Sequence, residues 1–382
     1  MQEKFTPLSF KPNDIVLTDY KIIKEIARGG MESVIYVAQD LKIKGDDYVS
    51  SKNKYVVVKV INRNDKIDDS DWTKFIHEYV TSTRVSGLKN IIKTYEQQIC
   101  NDENSIIIVM EYVNGPSLKK YIDQCGILPI HEAIYFTRMI CEAINELHCM
   151  KDKIIHRDLK PENILLSKDL IELKLIDFGI SSVKSRISNK NTKNLLTNED
   201  AIFGTYPYLC PDILQITKKS TEYEKSKIIS EQLDIFPVGV MLYEMVSGEK
   251  PFAASDYENK DVISLPLYYD VPPISEFNST IPKIIDNIIF KCIASKPDDI
   301  KYRYKNIQEL INDLDSVETM KNVTTLPLIK PLNKRVLQYK KIFDIEKQKH
   351  KRKYFEEWWF IWIMFGGGIA ITVIMIILII IL

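Results

Sequence analysis

The 382-residue chain has little cysteine, and its six cysteines follow no recognisable binding pattern. None lies in a C-x-x-C pair, and none lies near a histidine at the spacing that metal ligands require. This scarcity excludes a zinc site and a disulfide framework as interpretations of the sequence. The thiols are best interpreted as buried or incidental groups in a reducing compartment.

Net charge is also lacking, because 52 Lys and Arg residues balance 52 Asp and Glu residues. A balanced chain gives no electrostatic reason to expect nucleic acid as a partner, nor an acidic scaffold. Residues 1–14 are polar and contain no apolar core, so we expect no signal peptide. Internal repeats and long low-complexity tracts are absent from the sequence as well.

One long hydrophobic run is present, from Phe360 to Leu382, and it contains no charged residue. At about 1.5 Å per residue, a helix of this length would span roughly 34 Å, enough for the hydrocarbon core of a bilayer. A buried core helix is the alternative, but such helices rarely stay apolar all round at this length. The sequence therefore predicts a transmembrane helix over 358–382, preceded by a juxtamembrane linker over 317–357.

The linker is strongly basic, with ten Lys or Arg and two acidic residues between Lys330 and Lys353. A solvated linker is the plain interpretation, but its place beside a membrane span favours contact with anionic lipid. Positive residues flanking a span stay on the cytoplasmic side, so we expect a single-pass protein of the cell membrane with its globular part in the cytoplasm. The small residues Gly366–Gly368 and Ala370 could let two spans approach as a homodimer, or could form a flexible spot.

The globular region begins with strand patterns and continues with helical ones. Alternating apolar residues predict strands over 20–27, 33–40, 54–61 and 104–113. Helical spacing appears over 71–85 and dominates from Ser117 onward. The sequence therefore predicts an α+β fold in which a small β-rich lobe precedes a larger helical lobe.

Five motifs occur in a fixed order along this region. They are VVVK ending at Lys59, a helix carrying Glu78, HRDLKPENILL from His156 to Leu166, the DFG triplet 177–179, and GTYPYLCPD from Gly204 to Asp212. Their order and spacing resemble the protein kinase family, and the GGM string of the first hairpin resembles bacterial receptor-type Ser/Thr kinases. The resemblance covers 20–316 and implies a bilobal kinase fold, with 1–19 as an N-terminal extension. Such kinases often carry an outer sensor domain, which we do not expect here.

The resemblance implies transfer of the ATP γ-phosphoryl group to Ser or Thr hydroxyls of cytosolic proteins, with ATP and Mg²⁺ as cofactors. It implies that Asp158 accepts or orients the proton of the attacking hydroxyl and that Lys160 offsets charge near the γ-phosphate. Lys59 would hold the α- and β-phosphates, and Glu78 would hold Lys59. The choice of Ser/Thr over Tyr depends on Lys160 and on the GTYPY segment.

Metal and nucleotide positions follow from the same resemblance. Asn163 and Asp177 would supply oxygens to Mg²⁺, a hard cation that prefers such ligands. The implied nucleotide-binding positions are Ala27, Gly29, Gly30, Val34, Val57, Lys59, Met110, Glu111, Val113 and Leu165.

The glycine-rich loop departs from the G-x-G-x-x-G pattern of the family. One alignment of IARGGMESVIYVA places Ala27, Gly29 and Glu32 at the glycine positions, and the other places Arg28, Gly30 and Ser33 there. Either alignment keeps only the middle glycine, so we expect weaker nucleotide handling. A membrane-bound docking platform that binds nucleotide weakly therefore stays an alternative. A small-molecule kinase lacks support, because GTYPY resembles the peptide-binding segment of protein kinases.

Two contacts of the helical lobe are also implied. Asp212 replaces the usual Glu of A-P-E and would still pair with Arg303. Asp234 would brace the catalytic loop from a helix that contains an unusual Pro237.

Arg157 precedes Asp158, and kinases with this arginine commonly neutralise it with a phosphorylated activation loop. We predict autophosphorylation at Thr197, then Thr192.

Overall fold

The structure is a computed structural model of the chain. It describes residues 7–29, 33–43, 54–63, 69, 72–73, 76, 88–100, 104–151, 153–177, 206–215, 229–252, 265–268 and 271–318. The predicted transmembrane helix, most of the predicted helix over 71–85, Glu78, and both predicted phosphorylation sites lie outside these residues. Among the helices that are described, none is both long and apolar enough to cross a membrane.

The first lobe is a six-stranded antiparallel sheet with the strand order β1-β2-β3-β4-β6-β5. The strands are β1 Ile15–Val16, β2 Tyr20–Gly29, β3 Ser33–Asp40, β4 Tyr55–Asn62, β5 Thr94–Cys100 and β6 Ser105–Glu111. The four predicted strands are confirmed with small shifts at their ends. Strands β1 and β5 were not predicted, because β1 is very short and β5 (TYEQQIC) is largely polar.

Residues that precede the first predicted strand pack against this sheet. The Leu8 N–H donates to Asn62 Oδ1 at 2.8 Å, and Asn62 Nδ2 donates to the Leu8 carbonyl at 3.0 Å. The ring of Phe10 packs edge-on against Tyr36, with 5.9 Å between the ring centroids. The N-terminal segment is therefore held by a buried amide and by an aromatic contact.

Helices form the second lobe, as predicted. They are α1 Leu118–Cys125, α2 Ile130–His148, α3 Gln232–Ser247, α4 Leu265–Tyr268, α5 Ile274–Phe277, α6 Lys283–Ile293 and α7 Ile307–Glu318. A short hairpin, β7 Ile164–Leu166 and β8 Leu173–Leu175, lies between α2 and α3 in the sequence. The N–H of Lys120 donates to the Ser117 side chain at 3.2 Å, which caps the start of α1.

Helix α3 lies at the centre of this lobe and is buried almost along its whole length. It packs closely on α6, since a Cβ atom added at Gly239 would lie 2.3 Å from Cys292 Cβ. Pro237 lies inside the helix, where it has no N–H to donate to the carbonyl four residues earlier. The helix nevertheless continues to Ser247 and ends at Gly248, which has a left-handed backbone.

Candidate active site

A loop between α2 and β7 gathers three of the predicted site residues. Asn163 Nδ2 donates to the Asp158 carbonyl at 2.7 Å and to Asp158 Oδ2 at 3.2 Å. The Lys160 ammonium lies 3.3 Å from the same Oδ2 atom. All three side chains are largely buried, so this carboxylate is held by an amide and a cation in a partly desolvated place.

Asp234 of α3 holds the main chain of this loop. Its Oδ2 accepts the His156 N–H at 2.7 Å and its Oδ1 accepts the Arg157 N–H at 2.7 Å. His148 Nε2 lies 2.9 Å from Oδ2, and the Asp234 side chain has no exposure to solvent. Three hydrogen bonds offset the burial of this carboxylate. The predicted bracing contact is confirmed, and His148 is a partner that the sequence did not reveal.

A second acidic residue, Asp177, faces the loop from the end of β8. Its carboxylate forms an ion pair with the Lys59 ammonium of β4. Main-chain contacts hold this stretch, because the Ile176 N–H donates to the Asn163 carbonyl at 3.0 Å. Asp177 and Arg157 both have left-handed backbones, at φ 58° and 65°. Non-glycine residues rarely adopt this conformation and cluster at functional sites when they do.

The donor set suits Mg²⁺. Asn163 turns its Nδ2 toward Asp158, and an amide oxygen and the Asp177 carboxylate are both hard ligands. Within the described residues, no group of three or more His, Cys, Asp or Glu side chains could hold a metal by itself. This is compatible with Mg²⁺, which typically takes one or two carboxylates and completes its shell with water and phosphate.

Most predicted nucleotide positions lie on strands β2, β3, β4 and β6 of the sheet and on strand β7 of the short hairpin. Val57 of β4 pairs directly with Met110 of β6, and β6 ends at Glu111. Val34 lies on β3, whereas Leu165 lies on β7. Ala27 and Gly29 belong to β2, Val113 follows β6, and Gly30 lies outside the described residues. Their contacts with a nucleotide stay predictions.

The segment that follows the GTYPY motif is tied to the helical lobe. Nη1 and Nη2 of Arg303 donate to Oδ2 and Oδ1 of Asp212, each at 3.0 Å. The predicted pair is therefore confirmed. Arg303 Nη1 also lies 3.1 Å from Cys210 Sγ. Burial raises the pKa of the Cys210 thiol to about 12, although Arg303 acts in the opposite direction.

A second buried contact joins this segment to α3. The Tyr208 hydroxyl donates to the Glu244 carboxylate, and the Lys250 ammonium lies 5.1 Å from the centre of the Tyr208 ring. Burial raises the pKa of Glu244, and the Tyr208 hydrogen bond lowers it. This contact was not predicted, because its two residues are 36 positions apart in the sequence.

The family model of the protein kinase domain matches residues 46–312 of this chain. The chain belongs to the protein kinase family. It is 36% identical over 345 residues to a candidate serine/threonine-protein kinase of Mycoplasma pneumoniae, and the match covers 87% of each chain. It is 28% identical to the serine/threonine-protein kinase PrkC of Bacillus subtilis over 296 residues, which make up 77% of this chain and 40% of PrkC.

These relatives and the domain match establish that the chain is a protein serine/threonine kinase of the bacterial type. A candidate kinase of Mycoplasma genitalium is also 36% identical, over 363 residues that make up 91% of this chain. The resemblance inferred from the five motifs is therefore confirmed at the level of family and activity. The roles of individual residues, the membrane span and autophosphorylation stay predictions.

Proposed function

We propose that this protein is a membrane-anchored Ser/Thr kinase that uses ATP and Mg²⁺, phosphorylates cytosolic proteins and autophosphorylates in its activation loop. The observation that supports the chemistry best is the arrangement around Asp158. Its carboxylate lies within 3.3 Å of both Lys160 and Asn163, on a loop held by the buried Asp234. A preorganised carboxylate of this kind suits the orientation of a hydroxyl nucleophile.

Bound ATP·Mg²⁺ would supply the phosphoryl group and much of the charge neutralisation. In our proposal, Asp158 accepts a hydrogen bond from the Ser or Thr hydroxyl and orients it for attack. Lys160 lies on the same side of the loop and stabilises negative charge there. Asn163 and Asp177 would hold the metal, and Lys59, whose ammonium pairs with Asp177 in this structure, would hold the nucleotide phosphates.

The first test is incubation of the purified full-length protein with Mg²⁺ and radiolabelled ATP. We expect label on Ser or Thr in the wild type and none in Asp158→Asn. Asp169→Asn is a matched control, because Asp169 lies in the exposed turn between β7 and β8. Label in Asp158→Asn would contradict the role of Asp158. An unlabelled wild type that still binds nucleotide would favour the docking platform instead.

The position of autophosphorylation is tested by phosphopeptide mapping of the labelled wild type. We expect modification of Thr197 or Thr192, since Arg157 commonly accompanies a phosphorylated activation loop in this family. A phosphorylated protein in which neither threonine is modified would contradict this part of the proposal.

The apolar run and the basic linker before it support the membrane anchor, with anionic lipid as a contact. We expect the full-length protein to remain with membranes after an alkaline carbonate wash and a chain ending at Lys353 to be released. Release of both would contradict the anchor. Homodimerisation through Gly366–Gly368 is tested separately, by exchanging these glycines for Ile and measuring self-association in membranes.

A further inference from the structure

The segment 89–93 directly precedes β5 and forms hydrogen bonds with both lobes. The main-chain and side-chain nitrogens of Asn90 donate to the two carboxylate oxygens of Glu146 on α2, at 3.1 and 2.9 Å. The Asn90 carbonyl accepts the Leu175 N–H at 2.8 Å, and the Ile92 N–H donates to the Leu175 carbonyl at 3.0 Å. The helical lobe therefore holds this segment from α2 and from β8.

The same segment is held from the sheet by Glu111, the last residue of β6. The Glu111 N–H donates to the Lys93 carbonyl at 2.9 Å, and the Glu111 carboxylate accepts the Lys93 N–H at 3.3 Å. Side chain and main chain of Glu111 thus act on one residue. Movement of the segment relative to the helical lobe would be passed directly to the main chain at Glu111.

Lys174 of β8 contacts both the segment 89–93 and Glu111. Its ammonium donates to the Lys89 carbonyl at 2.6 Å and lies 3.5 Å from Glu111 Oε2. The side chains of Lys174 and Glu111 are 16% and 27% exposed, so water screens this ion pair less than a fully exposed one. One lysine of the helical lobe therefore contacts both the segment 89–93 and Glu111, which is one of the predicted nucleotide-binding positions.

The surrounding charges are compatible with this contact. The Lys93 ammonium lies 5.2 Å from the centre of the Tyr95 ring. Burial raises the pKa of Tyr95, and the Glu111 charge adds to this. The phenol therefore stays neutral beside the carboxylate, and Lys174 is a cation in contact with it among the described residues.

We propose that Lys174 is a positioning residue for the nucleotide. With Glu111 and the Lys89 carbonyl it forms a latch between the lobes, beside the predicted nucleotide-binding positions Met110 and Glu111, and this latch slows nucleotide exit. The inference rests on the proposed use of ATP. Lobe opening and product release limit the turnover of many enzymes, so a contact that restrains opening acts on release and not on the chemical step.

The test is nucleotide release from the full-length protein, followed by stopped-flow fluorescence of N-methylanthraniloyl-ADP. We expect Lys174→Met to release the nucleotide about 3- to 5-fold faster, as for a weak ion pair. The KM for ATP should rise by the same factor, with an unchanged KM for a peptide substrate. Lys174→Arg keeps the charge and should behave like wild type. A purely structural role for Lys174 would instead lower the thermal midpoint without this KM pattern.

Two further variants decide whether Lys174 acts through Glu111. The double variant Lys174→Met with Glu111→Gln should release nucleotide no faster than Lys174→Met alone. Lys168→Met is the matched control, because Lys168 is an exposed lysine of the same hairpin, and it should match wild type.

Equal release rates in wild type and Lys174→Met, or additive effects in the double variant, would overturn the latch. A wild type that binds no nucleotide would overturn the latch together with the use of ATP. If the wild type phosphorylates normally but wild type and Lys174→Met release nucleotide at the same rate, the latch is contradicted and the use of ATP is not.

Discussion

The two halves of the active site are built differently. The half that belongs to the helical lobe is buried and held by several hydrogen bonds, since Asp234 fixes the main chain at His156 and Arg157. In the sheet half, Ala27 is exposed, and Arg28 pairs with Glu25 while its side chain remains 70% exposed. The groups proposed to act on the hydroxyl are therefore preorganised, whereas Ala27 and Arg28 of the β2–β3 hairpin are exposed and have fewer side-chain contacts of this kind.

The difference has a structural cause. Helix α3 passes through the core, so a carboxylate on it loses its water and must find N–H donors. The β2–β3 hairpin is irregular, because its register shifts between Ile22 and Lys24 and again between Glu25 and Ala27. Irregular strands of this kind bend and twist locally. We therefore expect substitutions in the helical half to affect both folding and turnover, and those in the hairpin to leave the fold intact.

The largest effect is expected for Arg303→Met. This change leaves Asp212 as a buried carboxylate without its cation, and such a loss typically costs about 3–5 kcal/mol of the free energy of unfolding. Urea unfolding followed by tryptophan fluorescence measures it. Arg28→Met is the matched control in the hairpin, and we expect no measurable change in its urea midpoint. Equal shifts for the two variants would contradict the contrast between the halves.

A smaller effect, on turnover, is expected for Asp234→Asn. The amide keeps the shape but places an NH₂ group against one of the N–H donors of the catalytic loop. The resulting misplacement of Asp158 should lower kcat about 100-fold, with little change in the KM for ATP. Steady-state peptide phosphorylation measures both constants.

Asp286→Asn is the control for this prediction. Asp286 is also buried, and its Oδ1 accepts the Ile274 N–H at 2.6 Å, but it belongs to α6 and does not contact the catalytic loop. We expect it to lower stability and to leave kcat of the folded protein unchanged. A similar fall in kcat for both variants would indicate a general effect of buried carboxylates.

Much of the fold and of the helical half of the site could be predicted from the sequence. Asp158 and Asn163 are fixed by one short motif, and the Asp212–Arg303 and Asp234 contacts follow from positions that the family resemblance implied. Four strands followed from alternating apolar residues, because one face of each packs on a core. Short motifs and local periodicity therefore suffice to predict these strands and the residues of the catalytic loop.

The contacts between distant polar residues could not be predicted. Asn90 and Glu146 are 56 positions apart, and each is an ordinary polar residue in its own stretch of sequence. Strand β5 was missed because its polar side chains do not show alternation. The Leu8–Asn62 contact lies across 54 positions and joins the sheet to residues interpreted as an extension. Such pairings depend on the packing of elements, which local periodicity does not describe.

The smallest effect concerns the sheet half alone. Asn62→Ala removes the amide that holds the Leu8 main chain and also accepts the Ser105 hydroxyl at 2.7 Å. The buried groups left behind should cost about 1–3 kcal/mol. Because the N-terminal segment loses its contact, chymotrypsin should cleave after Phe10 faster than in wild type, which limited proteolysis measures. Gln98→Ala, an exposed change on β5, is the control. Unchanged cleavage in Asn62→Ala would mean that the Phe10–Tyr36 packing holds the segment without the amide, and the sheet half would then depend on aromatic packing more than on buried polar contacts.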